Sequence, residues 1–134
     1  MKSNYALIII IVLLAILACF QVALIAGMPW GAAAWGGGNE VLPLEYRIAS
    51  ASSIIIYVLM AWIAGKRVAK PESKGFRIAA WIIFAFFCLN VIMNVISPSG
   101  WEKIWAPVAL VLAWAFFIVA KGPKAIKRDT PING

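Results

Sequence analysis

The chain has 134 residues, of which 64% are hydrophobic and 13% charged, against about 45–50% and about 25% in a soluble domain. One domain of this length cannot hide so much apolar surface from water, which excludes an ordinary soluble globule and makes lipid the natural solvent. The net charge of +7 does not signal nucleic acid, because Lys and Arg lie in the connections and at the C-terminus rather than on a basic face or groove.

The first apolar run, residues 5–26, is interrupted only by Gln21. Its Ile16–Cys19 segment, ILAC, resembles a lipoprotein cleavage box. The apolar FQVALIAG that follows replaces the polar tether such a protein carries after its cysteine, so the run is expected to be a true helix. Residues 27–43, GMPWGAAAWGGGNEVLP, form the longest connection. They lack the lysine and the strand-to-helix setting of a phosphate-binding loop, and they read as a cap lying on the bundle end. Pro43 suits the first position of the next helix, where its missing N–H costs nothing.

The second span is placed at 44–65, followed by a basic loop at 66–75. The third, 76–97, carries Asn90 and Asn94. Ser99 and Glu102 have the spacing of a capping box for a fourth span at 103–120, with Pro107 in its first turns, where proline is tolerated. A basic tail, 121–134, follows. Each span crosses about 30 Å of hydrocarbon at about 1.5 Å per residue once flanking turns are included. The expected fold class is all-α: a polytopic membrane protein whose single domain is a four-transmembrane-helix bundle.

Charge sets the orientation. Lys2, Lys66, Arg67, Lys70, Lys74, Arg77, Lys121, Lys124, Lys127 and Arg128 fall on one side, and only Arg47 and Lys103 on the other. By the positive-inside rule both termini are cytoplasmic, in a multi-pass protein of the cell membrane. Trp30, Trp35, Trp101 and Trp105 then gather at the outer boundary as an interfacial belt. Ala15, Cys19, Ala23 and Gly27 recur every four residues, as do Ala49/Ser53, Ala61/Gly65 and Ala109/Ala113. Such stripes are expected to face another helix within the bundle or across an oligomer seam. Cys19 and Cys88 show no metal or CxxC spacing and read as small buried hydrophobes.

Polar groups inside the spans carry the functional information, since each needs a partner or a wet cavity. Ser50, Ser53 and Tyr57 share one face of the second helix, and Asn90, Asn94 and Ser97 one face of the third. Gln21 lies at similar depth, with Arg47 just above. Turned toward each other, these groups make a polar pocket open to the outside. The competing reading is that they are interhelical hydrogen-bond glue, worth ~0.6–2 kcal/mol each, with Arg47 a snorkelling anchor.

The chain has no histidine, which removes the commonest metal ligand, haem ligand and general base. No Asp or Glu lies inside an apolar run (Glu45 precedes the second, which begins at Ile48), whereas proton relays usually use one. No enzyme activity, cofactor or metal is expected.

The pattern GMPWGAAAWGG, RIASASS and MNVISPSGWEKIWAPVALVLA, covering residues 27–57 and 93–113, resembles a family of small four-helix integral membrane proteins of bacteria and archaea. The resemblance implies the architecture and carries over no catalytic residue. Proton-coupled multidrug exporters are similar in helix count but carry a membrane-embedded glutamate that this chain lacks. The expected function is therefore non-enzymatic: a membrane protein binding a small neutral or anionic molecule, or a lipid headgroup, through Gln21, Arg47, Ser50, Ser53, Tyr57, Asn90 and Asn94. Two alternatives stand beside it, a small oligomeric transporter or channel and an accessory subunit of a larger membrane partner. The bilayer itself is the expected partner in every case.

Overall fold

The computed structural model describes residues 2–35 and 41–123. Lys124, Lys127 and Arg128 of the expected basic tail, and the Gly36–Gly38 run of the long connection, lie outside them. The described chain is helical throughout: α1 (Lys2–Ile25), α2 (Gly31–Trp35), α3 (Leu44–Ala69), α4 (Lys74–Ile96) and α5 (Trp105–Lys121), with a 3-10 turn at Glu102–Ile104. Four of these, α1, α3, α4 and α5 with its preceding turn, are long and apolar enough to cross a membrane.

The four long helices form an up-and-down bundle. α5 packs most extensively on α4 and also on α1, α1 packs on α3, and α3 closes the ring on α4. α5 lies deepest. Ala109, Leu112, Ala113, Ala115, Phe116, Val119 and Ala120 are all buried on it, and the Ala109/Ala113 pair lets its neighbours approach closely. The core half away from the long connection is dry. There Ala6, Ile10 and Leu14 of α1 meet Met60 and Ala64 of α3, Ile83 and Phe87 of α4, and Phe116 of α5. The Phe87 and Phe116 rings stack at 5.7 Å.

The remaining surface is apolar. Ile8, Ile55, Ile82, Leu89 and Leu110 are all more than half exposed, an arrangement water would penalise at ~25 cal/mol per Å² and lipid would not.

Local chemistry explains the ends. α1 closes in a Schellman motif: Met28 N–H donates to Ala23 O, Gly27 N–H donates to Leu24 O, and Gly27 adopts φ 97°, a conformation glycine reaches without a Cβ penalty. Pro43 is the N-cap of α3 rather than its first residue; its carbonyl accepts from Tyr46 and Arg47 N–H. The expected Ser99–Glu102 capping box does not form. Ser97 hydroxyl donates instead to Glu102 Oε2, and its Oγ accepts from Ser99 N–H at 3.2 Å, because Pro98 and the 3-10 turn bring Ser97 rather than Ser99 over the carboxylate.

The small-residue stripe of α1 is divided: Ala23 and Gly27 are half-buried, with Gly27 beneath Arg47 of α3, but its other half faces no helix of the described residues. Ala15 and Cys19 are exposed, and the buried face is the larger one of Ala6, Ile10, Leu14, Gln21 and Leu24. Cys19 is thus a surface thiol, and Cys88 is half-buried.

Candidate functional site

The half of the bundle beneath the long connection holds a cavity of about 210 Å³. All four long helices and α2 contribute walls. Leu17, Phe20 and Gln21 come from the last turns of α1, Ser53, Ile56 and Tyr57 from the first half of α3, and Phe86, Phe87, Asn90 and Asn94 from the end of α4. Trp105, Val108, Ala109 and Leu112 come from the start of α5, and Ala34 of α2 lies above. At ~30 Å³ per water the space suits about seven waters or a ligand of a few heavy atoms.

Each polar side chain is set by its helix. Asn90 Nδ2 donates to Phe86 O at 3.2 Å, Asn94 Nδ2 to Asn90 O at 2.9 Å, and the Ser53 hydroxyl to Ala49 O at 3.0 Å. A carbonyl accepts only from the amide nitrogen, so both asparagines keep Oδ1 off their own backbone. Gln21 is 8% exposed, and its Oε1 has no hydrogen-bond partner. Tyr57 lies beside the Gln21 amide, but outside hydrogen-bonding geometry with Oε1. A buried acceptor left without a donor costs about 1–3 kcal/mol. Gln21 is therefore an interior group whose Oε1 meets no donor among the described residues, with Tyr57 of α3 as its polar neighbour.

Five of the seven expected binding residues, Gln21, Ser53, Tyr57, Asn90 and Asn94, line this one cavity. Ser50 and Arg47 do not. Ser50 is fully buried and accepts from Trp35 Nε1 at 3.4 Å, so it ties α2 to α3. Arg47 Nε donates to Leu42 O at 2.9 Å. Its guanidinium lies over Gly27, where an added Cβ would come within 3.6 Å of Nη2. Both residues precede Ser53 on α3 and sit where the chain folds back, so backbone and indole groups reach them first.

No family model matches the chain, and comparison with curated proteins and with solved structures gives no match either.

The four tryptophans expected at an outer belt all lie at this end, but they differ in role. Trp105 Nε1 donates to Ala33 O at 2.8 Å and pins α2 over the cavity. Trp35 packs on Tyr46 with ring centroids 5.5 Å apart. Phe20 lies between Trp30, stacked at 6.1 Å, and Trp105 at 4.9 Å. Trp101 is 62% exposed and makes none of these contacts. On the α3–α4 side the wall is thin: Ile56 and Phe86 line the cavity, yet are 47% and 45% exposed. The floor is apolar, made by the buried Phe87, Ala109 and Leu112.

Sequence reasoning missed the aromatic share of the lining and the role of Arg67. Phe20 and Phe86 look like lipid-facing residues of apolar runs, and only their phase beside Gln21 and Asn90 marks them. Arg67 reads as one topology-setting cation among many. It is 3% exposed, donating through Nη1 to Pro71 O at 2.6 Å and through Nη2 to Ala120 O at 3.1 Å. Its side chain thereby caps the C-terminal end of α5, where the helix dipole favours a cation. The signal was its spacing: Met60, Ala64 and Arg67 follow one buried stripe at i, i+4, i+7.

Proposed function

We propose that this is a multi-pass protein of the cytoplasmic membrane, non-enzymatic, which binds a small molecule in an outer-leaflet cavity. The observation that carries the binding reading is Gln21 Oε1, buried and unpartnered, in a cavity whose other polar groups come from α3 and α4 at the same depth. Glue would pair these groups across helices. Here Ser53, Asn90 and Asn94 bond back to their own helices and leave acceptors for an occupant.

The orientation rests on charge. Lys2, Lys66, Arg67, Lys70, Lys74, Arg77 and Lys121 lie at the end away from the cavity, against Arg47 and Lys103 at the cavity end, and the basic end is the cytoplasmic one. The described lining offers amides, hydroxyls and rings, groups suited to holding a small molecule. The apolar floor favours binding over passage through one protomer.

The test is thiol reactivity of purified protein in lipid nanodiscs, with Cys19→Ser and Cys88→Ser as background. Ser53→Cys is expected to react with a small charged methanethiosulfonate, and Ala113→Cys, in the dry core, to stay inert. Inertness at both positions would mean that the polar residues are packed glue and would remove the cavity.

A second reading is favoured by the exposed Ala15/Cys19 pair on α1, a close-packing surface that no helix among the described residues covers. It fits a homo-oligomer or a larger membrane partner. Mild oxidation in membranes is expected to link two copies through Cys19 if the seam joins copies of this chain, and a monomer after oxidation would count against that seam.

A further inference from the structure

Resting on the cavity reading above, we infer that the occupant presents a primary ammonium group, held by amide and hydroxyl oxygens against aromatic faces. Two observations point the same way, and a third removes the contact expected to draw an anion.

The first is the balance of hydrogen-bonding capacity. The amide nitrogens of Asn90 and Asn94 and the hydroxyl of Ser53 each spend a hydrogen on a carbonyl of their own helix. Gln21 Oε1 has no donor among the described residues. Across the polar lining, lone pairs then outnumber free hydrogens by roughly two to one. An ammonium, with three donors and no acceptor, matches that surplus. A carboxylate or phosphate, which only accepts, would use the remaining amide and phenol hydrogens but leave the surplus lone pairs unmatched.

The second is the ring lining. Phe20, Tyr57, Phe86, Phe87 and Trp105 all border the cavity, and the negative faces of such rings attract cations.

The third is the position of the nearest positive charge. Arg47 was expected to draw an anion, but its guanidinium is engaged by Leu42 O and is absent from the lining. Among the described residues no lysine or arginine borders the space. An anion entering it would lose its water without meeting a counter-charge, and an ammonium, which meets no carboxylate in the lining either, relies on the lone pairs and ring faces alone.

The same ammonium chemistry has two sources. A free amine can enter from the outer solution. An aminolipid headgroup can enter sideways past Ile56 and Phe86, the half-exposed residues of the thin α3–α4 wall.

Protection of Ser53→Cys from a neutral methanethiosulfonate in phosphatidylglycerol nanodiscs tests the assignment, with n-propylammonium, n-propanol and propionate as competitors of equal size. n-Propylammonium is expected to protect at a concentration about ten-fold below either of the others, a step of about 1.4 kcal/mol. Gln21→Leu and Asn90→Leu should each shrink that difference, so a folding failure in one leaves the other to report. Equal protection by the three compounds, or preference for propionate, overturns the ammonium assignment while leaving the cavity in place. An unreactive thiol in the absence of competitor fails the cavity reading itself. Replacing half the lipid by phosphatidylethanolamine separates the sources: slower modification without added amine identifies the headgroup, and unchanged modification identifies a free amine.

Discussion

At the residue scale, the sign of a substitution separates binding groups from structural ones. Gln21 carries a buried acceptor with no donor, so Gln21→Leu is expected to leave stability unchanged or raise it by about 1 kcal/mol, since the desolvation penalty of an unmade hydrogen bond disappears. A glue residue would instead lose ~0.6–2 kcal/mol. Thermal unfolding in detergent reads the difference, and a clear fall in Tm would return Gln21 to the glue class. Ser50 is the opposite case. It accepts from Trp35, and Ser50→Ala is expected to lower stability by about 0.5–1 kcal/mol. Gly122 marks the other end of the bundle. It sits at φ 70°, and a Cβ there would meet Arg67 Nη2 at 2.5 Å. Gly122→Ala therefore adds backbone strain and displaces the guanidinium from the end of α5. The expected loss is about 1–3 kcal/mol, measured as a fall in Tm, with Gly65→Ala, where a Cβ meets nothing within 4 Å, as the harmless comparison.

At the element scale, α2 is the part least legible in the sequence and the one that shapes the site. Gly31–Trp35 is too short to show a periodic pattern, and its five residues are framed by glycine and proline signals that argue for a loop. What makes it an element is tertiary: Trp105 holds Ala33 O, and Trp35 holds Ser50 and Tyr46. Neither indole hydrogen bond can be deduced from local sequence, because each joins residues at least 15 positions apart. If α2 is a roof, Trp105→Phe should loosen it while keeping most of the ring packing on Phe20. The expected result is faster thiosulfonate modification of Ser53→Cys, by about three- to ten-fold for the loss of one hydrogen bond of about 1 kcal/mol. An unchanged rate would mean that access runs through the thin α3–α4 wall alone. The long helices, by contrast, were readable because lipid tolerates no ambiguity: every backbone polar group must be paired within the segment, so long apolar runs read directly as helices.

At the scale of the whole molecule, depth was legible and facing was only partly so. The polar residues of three helices share one level because their distances from the ends of the apolar runs are countable. Rotation about each helix axis is harder to count. Tyr57 and Ser53 face inward as their phase with Gln21 and Asn90 suggests, whereas Ala15 and Cys19 of the α1 stripe face outward and the larger Leu14, Gln21 and Leu24 are the buried ones. The bundle that results is asymmetric from end to end: a dry, basic-capped half and a half with a roofed polar cavity. That asymmetry is the central claim, and side-specific labelling in cells tests it most directly. In a Cys19→Ser, Cys88→Ser background, a membrane-impermeant methanethiosulfonate is applied to intact cells and to inverted membrane vesicles carrying either Ser53→Cys or Arg77→Cys. Modification of Ser53→Cys is expected in intact cells only, and of Arg77→Cys in inverted vesicles only. Modification of Arg77→Cys in intact cells, or of Ser53→Cys solely from the inner side, would contradict it.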